Sequence, residues 1–355
     1  MNSLVQKSLG GRANRWYVLL AAAWGVTSFA GVANATGVFG NTGLAGGFRW
    51  DAAPRTNGGN ERSLQGGLRY SMQGGSFEGF FNQFSFSGGV TVSQFQTAVE
   101  DAFAAWTVTD PATGLTTALS FTPDFATTAV GVGDNMNGGL NTNGAEIDLL
   151  AYFDGGFWNP GNTGQQGETR FNAVGGPVTL TSGTTGYNAG GIIGSDIIFN
   201  RGATYDLSVF RLLLSHEIGH SLGVADVDVT SGPNGTFIDD NYNGSSDATA
   251  LATLTNSWAL LVNPLNPAAS TGLSLYSVLN GTPGTKTAGV NILMESQGLG
   301  GQFGNLAPLS NDDYGGRQFL YPSLNRTVVP EHGALSLLGF GGAMLGSLLV
   351  RRRVR

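Results

Sequence analysis

Residues 216–220 read His-Glu-Ile-Gly-His. Residues four apart share one face of a helix, so the imidazoles of His216 and His220 can reach a single ion. Glu217 stands beside the first of them, where its carboxylate can serve as general base toward water activated by that ion. Zn2+ suits such a pair, and it lowers the pKa of the water it holds to roughly 7. A catalytic zinc usually takes three protein ligands. Cysteine is absent and the remaining histidine, His332, lies near the C-terminus, so the third donor is expected to be an oxygen. Gly223 can end the helix in a left-handed conformation and turn the chain back, which would bring Asp226 to the ion. Asp228 is its nearest competitor. A surface helix with two solvated histidines is the alternative, and Leu212, Leu213 and Leu214 just ahead argue against it.

Such a site needs a buried helix and a scaffold to hold it. Asp206 is a plausible N-cap, and an apolar helix is expected from Leu207 to about Leu222. Gly194–Asn200 reads as a short buried strand leading to it. Earlier, Leu68–Met72 alternates after a Gly-Gly turn and is a candidate first strand. Thr91 opens a helical pattern in which Phe95, Val99, Phe103 and Trp106 fall at i, i+4, i+8 and i+11. Leu119–Phe121 and Glu146–Leu150 look like further strands, separated by a Gly/Asn-rich loop from Gly131 to Gly144. Strand, helix, several strands and a second helix indicate an α+β fold with a twisted mixed sheet, not a parallel doubly wound one.

Composition narrows the classes. Without cysteine there are no disulfides and no thiolate metal site, so folding rests on core packing and bound metal. Glycine makes up 57 of 355 residues, more than double the usual ~7%. With 41% of residues apolar, this suggests long exposed loops around a packed core. Between residues 36 and 329 there are ten basic and 23 acidic residues, a net charge of −13. That balance argues against nucleic acid as a partner. Neither a repeat nor a charged or proline-rich linker divides the middle, so it reads as one domain.

His-Glu-x-x-His-x-x-Gly-x-x-Asp, over residues 216–226, resembles the metzincin signature of zinc metalloproteases. Its surroundings resemble the matrixin branch. Ala104-Ala105-Trp106 followed by Leu119–Phe121 is similar to the first matrixin helix and next strand, and Ser195–Asn200 to the strand before the zinc helix. Asn291-Ile292-Leu293-Met294 resembles the Met-turn, whose methionine packs beneath the metal. Leu309–Asp313 and Leu320-Tyr321-Pro322 resemble the final helix and its end. The resemblance implies a metzincin-like domain over 36–328, with His216, His220 and Asp226 as zinc ligands, Glu217 catalytic and Met294 in the Met-turn. It implies a peptide or protein substrate. Asp226 stands where matrixins usually have histidine, as in the snapalysin-like metzincins. The cysteine-switch propeptide of some relatives is excluded.

Asp226 and Met294 are 68 positions apart, so an insertion is expected over about 227–290. It contains Asp239, Asn241, Asn243 and Gly244, spaced like the start of a Ca2+ loop, with Asp247 as a further candidate ligand. Ala250 stands at the twelfth position, so the full ligand set is missing and a polar turn is the equal alternative.

The ends read as sorting signals. Lys7, Arg12 and Arg15, an apolar stretch from Trp16 to about Ala30, and Ala33-Asn34-Ala35 predict a signal peptide over 1–35, cut by signal peptidase. Gly333–Val350 carries no charge and is followed by Arg351, Arg352 and Arg353, as expected of a membrane helix with a cytoplasmic basic end. With Val329-Pro330-Glu331 before it, the segment 329–355 resembles the PEP-CTERM signal, although His332 stands where a second proline is usual. That resemblance implies transient anchoring, an exosortase-type partner, and export to the surface, outer envelope or extracellular matrix of a Gram-negative bacterium. An ordinary C-terminal anchor is the alternative for the tail. For the domain, the alternative is an inactive structural or adhesive protein on the same fold.

Overall fold

The computed structural model describes residues 26–27, 47–130, 144–152, 166–226, 237–246, 248–249, 252–253, 258, 260–276, 293–294 and 309–325. The expected signal peptide (Val26–Thr27 apart), the loop 131–143, Asp228, Asp247, Asn291-Ile292 and the tail from 326 lie outside them. No helix among the described residues is long and apolar enough to cross a membrane.

Six strands build the main sheet: β1 (Phe48–Trp50), β2 (Leu68–Met72), β3 (Phe121–Pro123), β4 (Ile147–Tyr152), β5 (Gly167–Val174) and β6 (Gly190–Asn200). Their order is β5-β6-β4-β2-β3, with β1 paired to the first residues of β6 and Val26–Thr27 to the end of β5. β6–β4, β4–β2, β2–β3 and β6–β1 run parallel, while β5 runs antiparallel to β6. The fold is therefore mixed α and β, with a sheet more parallel than the element pattern implied. β6 buries Ile192, Ile193, Ile197, Ile198 and Phe199. Such a continuous apolar run is what a central strand covered on both faces requires. It begins four residues earlier than expected, and the strand placed at 119–121 occupies 121–123 instead.

Four α-helices have both ends among the described residues: α1 (Phe77–Phe81), α2 (Val92–Ala105), α3 (Leu207–Ser221) and α4 (Asn311–Leu320). α2 starts in a capping box, where Thr91 and Gln94 satisfy each other's backbone donors. Its Phe103 ring stacks on Tyr70 of β2 at 4.0 Å. α3 lies against α2 and against β5 and β6. Phe210 of α3 sits among Phe84, Phe86, Phe95, Phe199 and Tyr205, with ring centroids 4.8–5.5 Å away.

Buried side chains close the C-terminal ends of the three longer helices, where carbonyls would otherwise lack donors. Arg317 Nη1 donates to Trp106 O and Val108 O after α2, at 3.1 and 2.6 Å. Trp50 Nε1 and Tyr321 Oη donate to Ser221 O and Leu222 O at the end of α3, at 2.9 and 2.6 Å. Arg49 Nη1 donates to Phe319 O and Leu320 O at the end of α4, at 3.1 and 3.0 Å. β1 and α4 thus fix the point where the chain leaves α3.

Phe210→Ala should lower stability by about 3–5 kcal/mol, because it empties a fully buried aromatic site. Denaturant unfolding checks this, and a loss below ~1 kcal/mol would show that the cluster does not hold α3 in place.

Candidate metal centre

α3 begins at Asp206, whose carboxylate accepts from the Ser208 amide, as an N-cap should. From Leu212 to Ser221 every residue of the helix is buried. His216 and His220 are therefore rings inside the fold. Each offers Nδ1 to a backbone carbonyl: His216 to Leu293 O at 2.7 Å, and His220 to Val224 O at 2.9 Å. Donation from Nδ1 fixes the tautomer and leaves the Nε2 lone pairs for a cation.

The turn after α3 brings in the third group. Gly223 has φ +92°, and a Cβ there would collide with the Phe48 carbonyl oxygen. Gly223 N returns to His220 O at 2.9 Å and Val224 N to Gly219 O at 3.0 Å. Asp226 follows, with Oδ1 3.2 Å from His216 Nε2 and 3.3 Å from His220 Nε2. That oxygen is buried and has no hydrogen bond of good geometry. The three donor atoms lie within 4.8 Å of one another, and no other set of three His, Cys, Asp or Glu among the described residues does this. Three electron-rich atoms converging in a buried site can hold a metal ion.

Leu293 and Met294 support the site from below. Their amides donate to Asp313 Oδ2 and Oδ1 at 3.2 and 3.3 Å, which orients the Leu293 carbonyl toward His216. Burial pushes the Asp313 carboxyl up to about 6, against the hydrogen bonds it accepts from Ser310, Leu293 and Met294. Met294 packs at Gly219, where a Cβ would come 2.5 Å from its Sδ and 2.7 Å from Trp106 Cζ2. Trp106 Nε1 also donates to Ser215 O at 2.8 Å. A glycine between the two histidines lets methionine and tryptophan reach the helix.

Glu217 faces β5. Its Oε2 accepts from Thr169 Oγ1 at 2.7 Å, and its Oε1 lies where a Cβ on Gly167 would intrude at 2.6 Å. Burial raises the Glu217 carboxyl, against the pull of His216 and His220. Burial also opposes charge on Asp226 and His216. The two rings nevertheless hold Asp226 below the ordinary carboxylate range, and the adjoining carboxylate lifts His216 to about 9 where no cation intervenes.

The structure thus brings His216, His220 and Asp226 together, sets Glu217 on the same helix facing β5, and packs Met294 against Gly219 between the two histidines. Thr169, Gly167 and Asp313's hold on the Leu293–Met294 turn were not anticipated. Thr169 did carry a signal, since Thr169, Phe171 and Ala173 alternate with Glu168, Arg170 and Asn172. Of the other candidate metal ligands, Asp239 is fully buried and Asn241 is half-buried. Asn243 is exposed, with its amide oxygen turned to the Ser245 amide at 3.0 Å.

No protein-family model matches this chain, and no curated protein matches it.

A metal entering the site must displace the proton that His216 carries below about 9. Apparent affinity should therefore fall by about tenfold per pH unit as the pH drops from there, with about one proton released per ion near pH 7. Calorimetry in two buffers of different ionisation heat measures the proton count. No release at pH 7 would contradict this electrostatic picture.

Proposed function

We propose that the chain is an exported zinc-dependent endopeptidase of the metzincin kind. The observation that carries the reading is the convergence of two histidine Nε2 atoms and Asp226 Oδ1, with the Glu217 carboxylate beside them. The donor set suits zinc: at bond lengths of about 2.0–2.1 Å, tetrahedral ligands sit about 3.3 Å apart. The two ring-to-carboxylate distances of 3.2 and 3.3 Å agree with that edge. When bound there, zinc supplies a Lewis acid that polarises a peptide carbonyl and makes water a nucleophile near neutral pH.

The chain's own residues supply the proton transfers. Glu217 accepts one proton from the water as its oxygen bonds to the carbonyl carbon. It returns that proton to the amide nitrogen as the C–N bond breaks, leaving a carboxylic acid and an amine. Burial raises its pKa above the ordinary carboxylate value, against the pull of His216 and His220, which favours a group that must both take and give a proton. Thr169 holds Oε2 in place, so the carboxylate spends less freedom on finding its working orientation. Export and surface sorting rest on the signal-peptide pattern over 1–35 and the PEP-CTERM-like pattern over 329–355.

Glu217→Gln keeps the shape of the side chain and leaves all three ligands intact. It should retain about one zinc per chain while peptide hydrolysis falls by about 10²–10⁴-fold. Zinc content and cleavage of a casein or peptide library are measured together. Near-parental turnover would overturn the mechanism, and a zinc-loaded parent that cleaves no peptide would favour a structural or adhesive role.

A further inference from the structure

A second cluster of oxygen donors lies away from the zinc-type site and plays no part in the proposed reaction. Asp239 ends a short strand, Phe237–Asp239, which pairs antiparallel with Ser274–Tyr276. Its side chain is fully buried. One carboxylate oxygen, Oδ1, accepts from the Asn241 amide at 2.5 Å. The other, Oδ2, is buried with no hydrogen-bond partner. An ionised oxygen left so is costly, on the order of several kcal/mol, unless a cation meets it.

The neighbours make that cost worse. Burial raises the Asp239 carboxyl first and most, and Asp312 and Asp240 raise it further, to about 8 in all, against the Asn241 and Tyr242 amides. Both charged neighbours carry its own sign. Asp312 is itself fully buried. The same turn buries another oxygen, Asn241 Oδ1. The turn is seated on α4 by independent contacts. Asn311 Nδ2 donates to Trp258 O at 2.9 Å, the Leu260 amide donates to Asp240, and Trp258 packs where Gly315 leaves no Cβ.

We infer that Asp239 and Asp312, with the amide oxygen of Asn241, form a binding site for a hard divalent cation, Ca2+, that pins the insertion to α4. The donors are all oxygens, two of them carboxylate groups, which selects Ca2+ over zinc. An Asp-x-Asn-x-Asn-Gly turn supplies closely spaced oxygens in a flexible frame, which Ca2+ tolerates better than Mg2+ does. Asn243 stays outside this site, and a residue from α4 replaces it. Because Asp312 precedes Asp313, occupancy would also steady the Leu293–Met294 turn under His216. The inference does not depend on the proposed chemistry at Glu217.

The test uses the full chain loaded with zinc and then titrated with CaCl2, read by thermal unfolding and by Tb3+ luminescence sensitised through Trp258 and Tyr242. The parent should bind one ion in the ~0.1–1 mM range common for extracellular Ca2+ modules, with a rise in Tm. Asp239→Asn and Asp312→Asn should each weaken binding by at least about tenfold, since each removes an anionic ligand. Without Ca2+ at neutral pH, Asp239→Asn should melt above the parent, because the buried carboxyl, raised to about 8, must take up a proton on folding and the amide need not. With saturating Ca2+ that order should reverse. A parent that shows no Ca2+-dependent shift, or an Asp239→Asn variant that responds as the parent does, would overturn the site.

Discussion

Asp226 is buried between two imidazoles, and the arrangement around it is organised to make that burial tolerable. A carboxylate taken out of water costs several kcal/mol unless opposite charge or good donors meet it. Here its Oδ1 faces two ring nitrogens at 3.2 and 3.3 Å. Those rings can offer lone pairs to a shared cation only if each Nδ1 proton is held elsewhere. The Leu293 and Val224 carbonyls do this, so the peptide planes around them become part of the site. Gly223 must take a positive φ to place Val224, and Asp313 must grip two amides to place Leu293. Trp50 and Tyr321 then fix the helix end from which the turn departs.

The fold buries several carboxylates, and it treats them in different ways. Asp313 is met by backbone amides and the Ser310 hydroxyl. Asp148 is met by the Val130 and Ala145 amides and the Ser71 hydroxyl, with burial lifting it to about 6. Glu146 is paired with Arg69 and lies 3.8 Å from Arg62. These are closed arrangements in which the donors belong to the protein. Asp226 and Asp239 differ, because each keeps a buried oxygen without a good protein donor. A chain without cysteine has no disulfides to hold its long glycine-rich connections. Cations at two points, one on α3 and one joining the insertion to α4, would supply cross-links of another kind.

The convergence of His216 and His220 was legible because a helix converts sequence spacing into spatial spacing: residues four apart must share a face. Asp226 was legible because Gly223 marks the turn. α2 and β2 were legible from periodicity that tertiary packing reinforces, as in Phe95, Val99, Phe103 and Trp106. What escaped depended on distant partners. β5 is half-exposed and carries Glu168 and Arg170, so its alternation is weak beside that of Leu68–Met72. β1 is three residues long, and its buried Arg49 is met by the end of α4 and by the Tyr187 ring, both far away in sequence. Asp312 showed no metal-binding pattern, since its partner Asp239 lies 73 positions earlier in the chain.

X-ray absorption at the zinc edge of the zinc-loaded full chain tests the metal assignment most directly. The predicted first shell contains only nitrogen and oxygen at about 2.0–2.1 Å, with the outer-shell signature of two imidazoles. A shell with fewer than two imidazoles, or one of six oxygens, would contradict ligation by His216, His220 and Asp226.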